Sequence, residues 1–270
     1  MISASKLLPP ILSHQNGLAI YFLTGKDFVY QTLFCAHSLV KVSKEQYQFI
    51  LIDDGSFNEV IKAEIERQMP NVVIINANEI NSNLDFHLPI ERFPFLRNKR
   101  IVYPHLKKLT DIHTLNSSTK LVLDSDMLFF REPTEMIKWL KQPTGCLFMI
   151  DCEESYGYSR KLMEELAGYR IPKMVNVGAF GFNSSSINWQ KLEDWGSNLE
   201  KNEGTTYYLE QALSAMLVAN EQPKISLSKE EYIVNPSTTD FNEVKLHHYV
   251  DLSKQFYFNS AWKISIDQRA

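Results

Sequence analysis

The apolar residues of this chain fall into short continuous blocks, and no other feature limits its fold as much. The blocks are Leu18–Leu23, Phe49–Asp53, Val72–Ala77, Leu121–Asp124, Met127–Phe130, Cys146–Ile150 and Met174–Phe182. They are too short for helices and rich in Val, Ile and Phe. Continuous rather than alternating apolarity marks strands covered on both faces, as in parallel sheets. Helical patterns lie between them. Ser56 and Glu59 have capping-box spacing, with Val60, Ile61, Ile65 and Met69 following on one face and Pro70 ending the run. Leu192, Trp195 and Leu199 mark a second helix with Ser186 as its cap, and Leu209, Leu213, Met216 and Leu217 mark a third. This alternation predicts an α/β fold: a single Rossmann-like domain with a mostly parallel mixed sheet flanked by helices. In such sheets ligands bind outside the carboxyl ends of the strands.

Composition narrows the class. With 28 Lys and Arg against 32 Asp and Glu, the net charge of −4 argues against a nucleic-acid partner. No run approaches the roughly 18 apolar residues of a spanning helix, and residues 1–17 lack a signal-peptide pattern. Cys35, Cys146 and Cys152 form neither a CxxC pair nor a disulfide framework. A reducing, cytoplasmic setting is therefore expected. The aromatic segment from Gln255 to Lys263 allows peripheral membrane contact at most, and a packed terminal element is the simpler expectation.

One strand end carries chemistry. Lys120-Leu121-Val122-Leu123 runs into Asp124-Ser125-Asp126, and apolar sequence resumes at Met127. Two carboxylates so close, flanked by buried strands, are costly without a compensating cation. Hard oxygen ligands at that spacing suit Mg²⁺ or Mn²⁺ holding a diphosphate; a solvated polar turn is the alternative.

The segment resembles the D-x-D region of GT-A glycosyltransferases, above all the retaining family 8 enzymes of glycogenin and bacterial lipopolysaccharide type. Further stretches fit in order. Arg100-Ile101-Val102-Tyr103-Pro104 with Leu106 resembles the R-[LIF]-x-x-P-x-L helix, Asn176-Val177-Gly178 the N-[AS]-G loop, and Glu210-Gln211-Ala212-Leu213 the D-Q-x-x-L-N segment. His248 and Lys254 match H-x-x-G-x-x-K-P-W at its spacing. The resemblance spans roughly 18–262, with departures. Asp251 replaces the signature's Gly, and Gln255-Phe256 its Pro-Trp. Gly25 stands where the family has an Asp touching uracil, Glu210 replaces Asp, and Ser214 replaces Asn. The chain reads as a divergent relative.

The resemblance implies one catalytic domain over 1–270, with a nucleotide-binding half at about 18–130 and an acceptor- and metal-closing half at about 131–263. It implies a hexose moved from a nucleotide-diphospho-sugar, UDP-glucose or UDP-galactose, to a glycan, lipid-linked or protein acceptor, with retention. Asp126 binds Mn²⁺ or Mg²⁺, and Asp124 shares the cation or contacts the donor ribose. His248 is the third ligand; because His247 is adjacent, only one of the two rings can face the site. Lys254 reaches the diphosphate. Arg100 clamps phosphate or sugar hydroxyls, unless it is a surface charge. Thr24 and Gly25 line the base pocket. Asp53 contacts base or ribose, unless it only shapes a turn. Asn176 and Gly178 meet sugar hydroxyls, unless they form a β-bulge. Gln211 or Glu210 sits beneath the anomeric carbon, unless both belong to an ordinary helix face. The acceptor side is expected along Asn81–Pro104, with Phe86, Phe93, Phe95 and Tyr103, and along Ser155–Ile171.

Three other readings are weighed. A haloacid-dehalogenase-like phosphohydrolase also carries hhhh-D-x-D, but near its N-terminus. A sugar-nucleotide pyrophosphorylase needs a Gly-rich loop after the first strand, where this chain has only Gly25. The third is an inactive sugar-nucleotide binder.

Overall fold

The computed structural model describes residues 1–116, 118–237, 241 and 243–267. After a short helix α1 (Ile2–Ser5), strands and helices alternate: β1 (Leu18–Thr24), α2 (Val29–Val42), β2 (Tyr47–Asp53), α3 (Glu59–Gln68) and β3 (Val73–Ile75). Helices α4 (Ala77–His87), α5 (Pro94–Val102) and α6 (Lys107–His113) precede β4 (Thr119–Leu123) and β5 (Met127–Phe129). Then follow α7 (Thr134–Lys141), β6 (Cys146–Ile150), α8 (Arg160–Ala167), β7 (Val175–Asn183), α9 (Trp189–Glu203) and α10 (Leu209–Asn220). Short strands β8 (Lys224–Ser226), β9 (Tyr232–Val234) and β10 (Leu246–His248) lead to α11 (Ser253–Phe256) and α12 (Trp262–Asp267).

The main sheet has seven strands in the order β3-β2-β1-β4-β7-β6-β8. β7 runs antiparallel to β4 and β6, and the other pairings are parallel, so the sheet is mixed and mostly parallel, as expected. A core lies on each face. Alternate residues of one strand serve both: Tyr21 joins the core under α4, α5, α6 and α10, while Ile20 and Phe22 join the core under α2 and α7. This two-sided burial is why the strand blocks read as continuous apolar runs. A second sheet, β5-β10-β9, continues from the end of β4.

Several local expectations need correction. Asn58, not Ser56, caps α3, its side chain accepting from Ile61 N–H (3.0 Å). Ser56 Oγ instead accepts from the Lys26 N–H (2.8 Å). Val60 is 77% exposed, so the buried face of α3 is built on Ile65 and Met69. The capping box lies at α4, where Asn76 and Glu79 exchange bonds. Consequently β3 stops at Ile75, short of the expected Ala77. Asn188 rather than Ser186 caps α9. At α4 and α9 the side chain one turn before the first buried helical residue took the cap, whereas sequence spacing alone allowed several. The C-terminal segment packs inward: Tyr257 and Ala261 are buried, and Trp262 lies against Phe34.

Candidate metal and donor site

The site forms where the chain leaves the main sheet for the small one. β4 ends at Leu123 and β5 starts at Met127, so Asp124-Ser125-Asp126 bridges two buried strands. The bridge is pinned on both sides: Asp124 N–H donates to Gly178 O (2.7 Å) and Tyr249 N–H to Asp126 O (2.9 Å). Thr32 of α2 ties it to the end of β1, its Oγ1 lying 2.7 Å from Ser125 Oγ and 2.9 Å from Thr24 Oγ1.

β10 pairs antiparallel with β5, opposing His248 to Met127. The two histidines therefore point to opposite sides. His247 packs against Phe130 and Phe241, and burial pushes its pKa down to about 4. His248 faces the carboxylates, with Nε2 3.4 Å from Asp126 Oδ1 and 3.6 Å from Asp124 Oδ2. One ligand atom from each of Asp124, Asp126 and His248 lies within 4.8 Å of the others. The backbone of β7 makes room for the ring. Between the β6 register pairs Phe148–Phe180 and Met149–Asn176, β7 inserts Val177, Gly178 and Ala179 as a bulge. A Cβ on Gly178 would lie 2.3 Å from His248 Cε1 and 2.4 Å from Nδ1.

Charge is balanced by two lysines. Lys108, from α6 and nearly buried, donates to Asp124 Oδ1 (2.8 Å) and to Val177 O (3.1 Å). Burial opposes its charge, but Asp124 and Glu210 outweigh that and hold its pKa above that of an ordinary lysine. Half-exposed Lys254 lies 3.4 Å from Asp126 Oδ2. Burial likewise opposes the charge on Asp126, yet the hydrogen bond and charge of His248 hold its carboxyl below the usual range. Burial opposes a proton on His248, and Asp126 with Asp124 outweighs it, so its pKa lies above that of ordinary histidine. Two carboxylate oxygens and an imidazole nitrogen form a donor set that fits Mn²⁺ well and Mg²⁺ less well.

Of the other expected residues, Asn176 and Gln211 are brought together with this cluster. Asn176 Oδ1 accepts from His248 Nδ1 (3.2 Å), and the Asn176 and Gln211 side-chain amides both donate to Asp151 Oδ2 (3.2 and 2.9 Å). Glu210 is 6% exposed; burial, reinforced by Asp124 and opposed by Lys108, pushes its pKa up to about 7. Asp53 is committed to its turn, with Oδ1 accepting the N–H groups of Gly55, Ser56 and Phe57. At Gly25 the neighbouring Asp54 carboxylate occupies the space a side chain would need, 2.0 Å from an added Cβ. The structure does not bring Arg100 to the cluster, because its guanidinium forks onto buried Asp111 (2.7 and 2.5 Å).

Lys108, which the sequence did not single out, is the cation ahead of β4 that meets Asp124. Nothing in the sequence separates it from Lys107, because α6 is so short and wedged that Lys108, Asp111 and His113 are buried along with its apolar residues. Asp151 was findable, since it is the first residue past the predicted strand Cys146–Ile150. On the expected acceptor side Phe93 is buried, Phe95 packs over Gly196, and Ser155–Ile171 contributes α8 to the core. Of that stretch Tyr103 reaches the start of α10, its hydroxyl donating to Tyr207 O and accepting from Glu210 N–H (3.4 Å). His105 and Tyr207 meet edge-on beside it (4.9 Å).

By sequence the chain matches no family model and no curated protein. By structure it is similar to mouse xyloside xylosyltransferase 1 in its apo form (TM-score 0.54, 13% identity, 88% of this chain and 98% of that one). It is also similar to the galactosyltransferase LgtC in complex with donor and acceptor sugar analogues (0.55, 15%, 87% of each chain). The bifunctional glycosyltransferase WbbM aligns at 0.56 with 12% identity, over 96% of this chain and 52% of that one. The fold is thus the GT-A type of glycosyltransferases.

Proposed function

We propose that this chain is a metal-dependent glycosyltransferase, one catalytic domain that moves a hexose from a nucleotide-diphospho-sugar to an acceptor hydroxyl with retention of configuration. The observation that carries this reading is the convergence of Asp124, Asp126 and His248 at the end of β4 in a GT-A fold. UDP-glucose and UDP-galactose are the first donors to test, and a glycan, lipid-linked or protein hydroxyl is the acceptor class. A cytoplasmic setting suits such a donor; no helix among the described residues is long and apolar enough to cross a membrane.

Asp124, Asp126 and His248 would hold Mn²⁺ or Mg²⁺, which as a Lewis acid neutralises charge on a departing diphosphate. Lys254, half exposed beside Asp126, supplies a further positive charge to the diphosphate. Lys108 balances Asp124 from below and keeps that carboxylate aimed at the cleft. Asn176 and Gln211 face the donor sugar, Asn176 with its partner His248 and Gln211 from the first turn of α10. A carbonyl oxygen near the anomeric carbon stabilises positive charge developing there. The acceptor hydroxyl attacks from the face the nucleotide leaves, and its proton passes to the departing phosphate oxygen. No protein base is then required, and buried Glu210 serves as an electrostatic neighbour. The Tyr103, His105 and Tyr207 rings border the open side, where flat apolar faces suit sugar rings.

The test is UDP release from nucleotide sugars with Mn²⁺, with EDTA and with an Asp126→Ala variant. Release is expected with Mn²⁺ and the intact chain alone. Transfer that survives both EDTA and the substitution would overturn the assignment.

A further inference from the structure

We propose that Asp151 is a positioning residue that sets the orientation of both the Asn176 and Gln211 amides and, through Asn176, the ring nitrogen that His248 offers to a cation. The inference rests on the glycosyltransferase reading and extends it to a residue outside the metal cluster.

Asp151 is the first residue past β6 and is 7% exposed. Its own place is fixed: its N–H donates to Met174 O (2.7 Å) and its Oδ1 accepts the Cys152 N–H (2.8 Å). Its Oδ2 receives Asn176 Nδ2 (3.2 Å) and Gln211 Nε2 (2.9 Å). A carboxylate only accepts hydrogen bonds, so both amides must turn their NH₂ groups toward it. An amide is otherwise nearly symmetric and flips at little cost.

The consequence at Asn176 is chemical. With Nδ2 committed to Asp151, Oδ1 faces the other way and accepts from Gly178 N–H (3.0 Å) and His248 Nδ1 (3.2 Å). An acceptor opposite Nδ1 requires Nδ1 to carry the proton. When the ring is neutral, Nε2 then keeps its lone pair, on the side where Asp124 and Asp126 lie. A flipped Asn176 would present NH₂ to Nδ1 and drive the proton to Nε2, where it would compete with a cation. At Gln211 the same carboxylate oxygen holds Nε2, and Oε1 is left without a protein partner among the described residues. One oxygen at the end of β6 thereby sets a residue on β7, one on α10 and, through β7, the imidazole on β10.

The test compares wild type, Asp151→Asn, Asn176→Ala and the double variant for Mn²⁺ affinity by calorimetry, with no nucleotide present. Steady-state UDP release is measured in parallel. Asparagine has one acceptor oxygen, so serving the two amides leaves its NH₂ against the Cys152 N–H, and serving Cys152 turns its NH₂ toward both amides. Asp151→Asn is expected to weaken Mn²⁺ binding by about 10- to 100-fold, the range typical for partners of ligating histidines. It should also lower kcat more than it raises donor KM. The double variant should be no weaker than the worse single, as expected for one network. If Asp151→Asn does not fold, Asp151→Ser carries the same comparison. Wild-type Mn²⁺ affinity in a folded Asp151 variant, or additive losses in the double variant, overturns the inference alone. Absence of Mn²⁺ binding by the wild-type chain overturns it together with the functional reading.

Discussion

Replacing Glu210 by Gln should make the protein more stable at alkaline pH and leave it nearly unchanged in acid. Glu210 sits in the first turn of α10 with 6% exposure, and its one side-chain hydrogen bond among the described residues is a long one from Ser214 Oγ (3.4 Å). Burial, with Asp124 nearby, raises its pKa from 4.5 to about 7 even against Lys108. A carboxyl raised on folding binds protons more tightly in the native state. Stability is therefore highest below 4.5 and falls as pH climbs to about 7. That interval corresponds to about 3 kcal/mol lost by pH 8, at roughly 1.4 kcal/mol for each pH unit. Glutamine has the same shape and does not titrate. The attraction of the ionised carboxylate to Lys108 is already contained in the pKa of about 7, so it adds nothing further to the difference between the two proteins. Melting temperatures of the two proteins in EDTA, from pH 4.5 to 8, should diverge by about 6–12 °C in favour of the variant, at about 2–4 °C per kcal/mol. Parallel curves would show that the native carboxyl ionises in its ordinary range and would refute the reasoning.

Gly178→Ala should displace His248, because the new Cβ would lie 2.3 Å from its ring. The expected result is a loss of about tenfold or more in Mn²⁺ affinity by calorimetry, with a stability cost of about 1–3 kcal/mol. Arg100→Ala and Lys108→Met should separate scaffold from site. Removing Arg100 leaves Asp111, 1% exposed, with Thr110 as its one side-chain partner among the described residues, which costs about 3–5 kcal/mol in urea unfolding and leaves nucleotide affinity unchanged. Removing Lys108 costs less, about 2 kcal/mol, because Asp124 is partly exposed. Mn²⁺ should restore part of that loss, measured as a larger Mn²⁺-induced rise in melting temperature than in wild type.

The apolar blocks determined β1 to β7, and therefore the α/β layers, because burial on both faces leaves a continuous signature in one short stretch of chain, whereas the three-residue strands β8, β9 and β10 left none. Asp124 and Asp126 were legible for a related reason: two acids one residue apart between two such blocks have few inexpensive explanations. Helix caps were less legible. Ser56 and Asn58 satisfy local spacing equally well, and only the backbone geometry at Asn58 lets its side chain reach Ile61 N–H. Arg100 and Lys108 mark the limit. Both are cations ahead of β4, and which one meets Asp124 depends on the turn at Tyr103–Leu106, which reorients α6 relative to α5. Asp151, Asn176, Gln211 and His248 lie on four elements far apart in sequence. They meet because β7 inserts antiparallel between β4 and β6 and bulges at Val177–Ala179. Strand order and a bulge are long-range choices, made by the packing of whole faces, so no local pattern of residues encodes them and only the tertiary structure decided them.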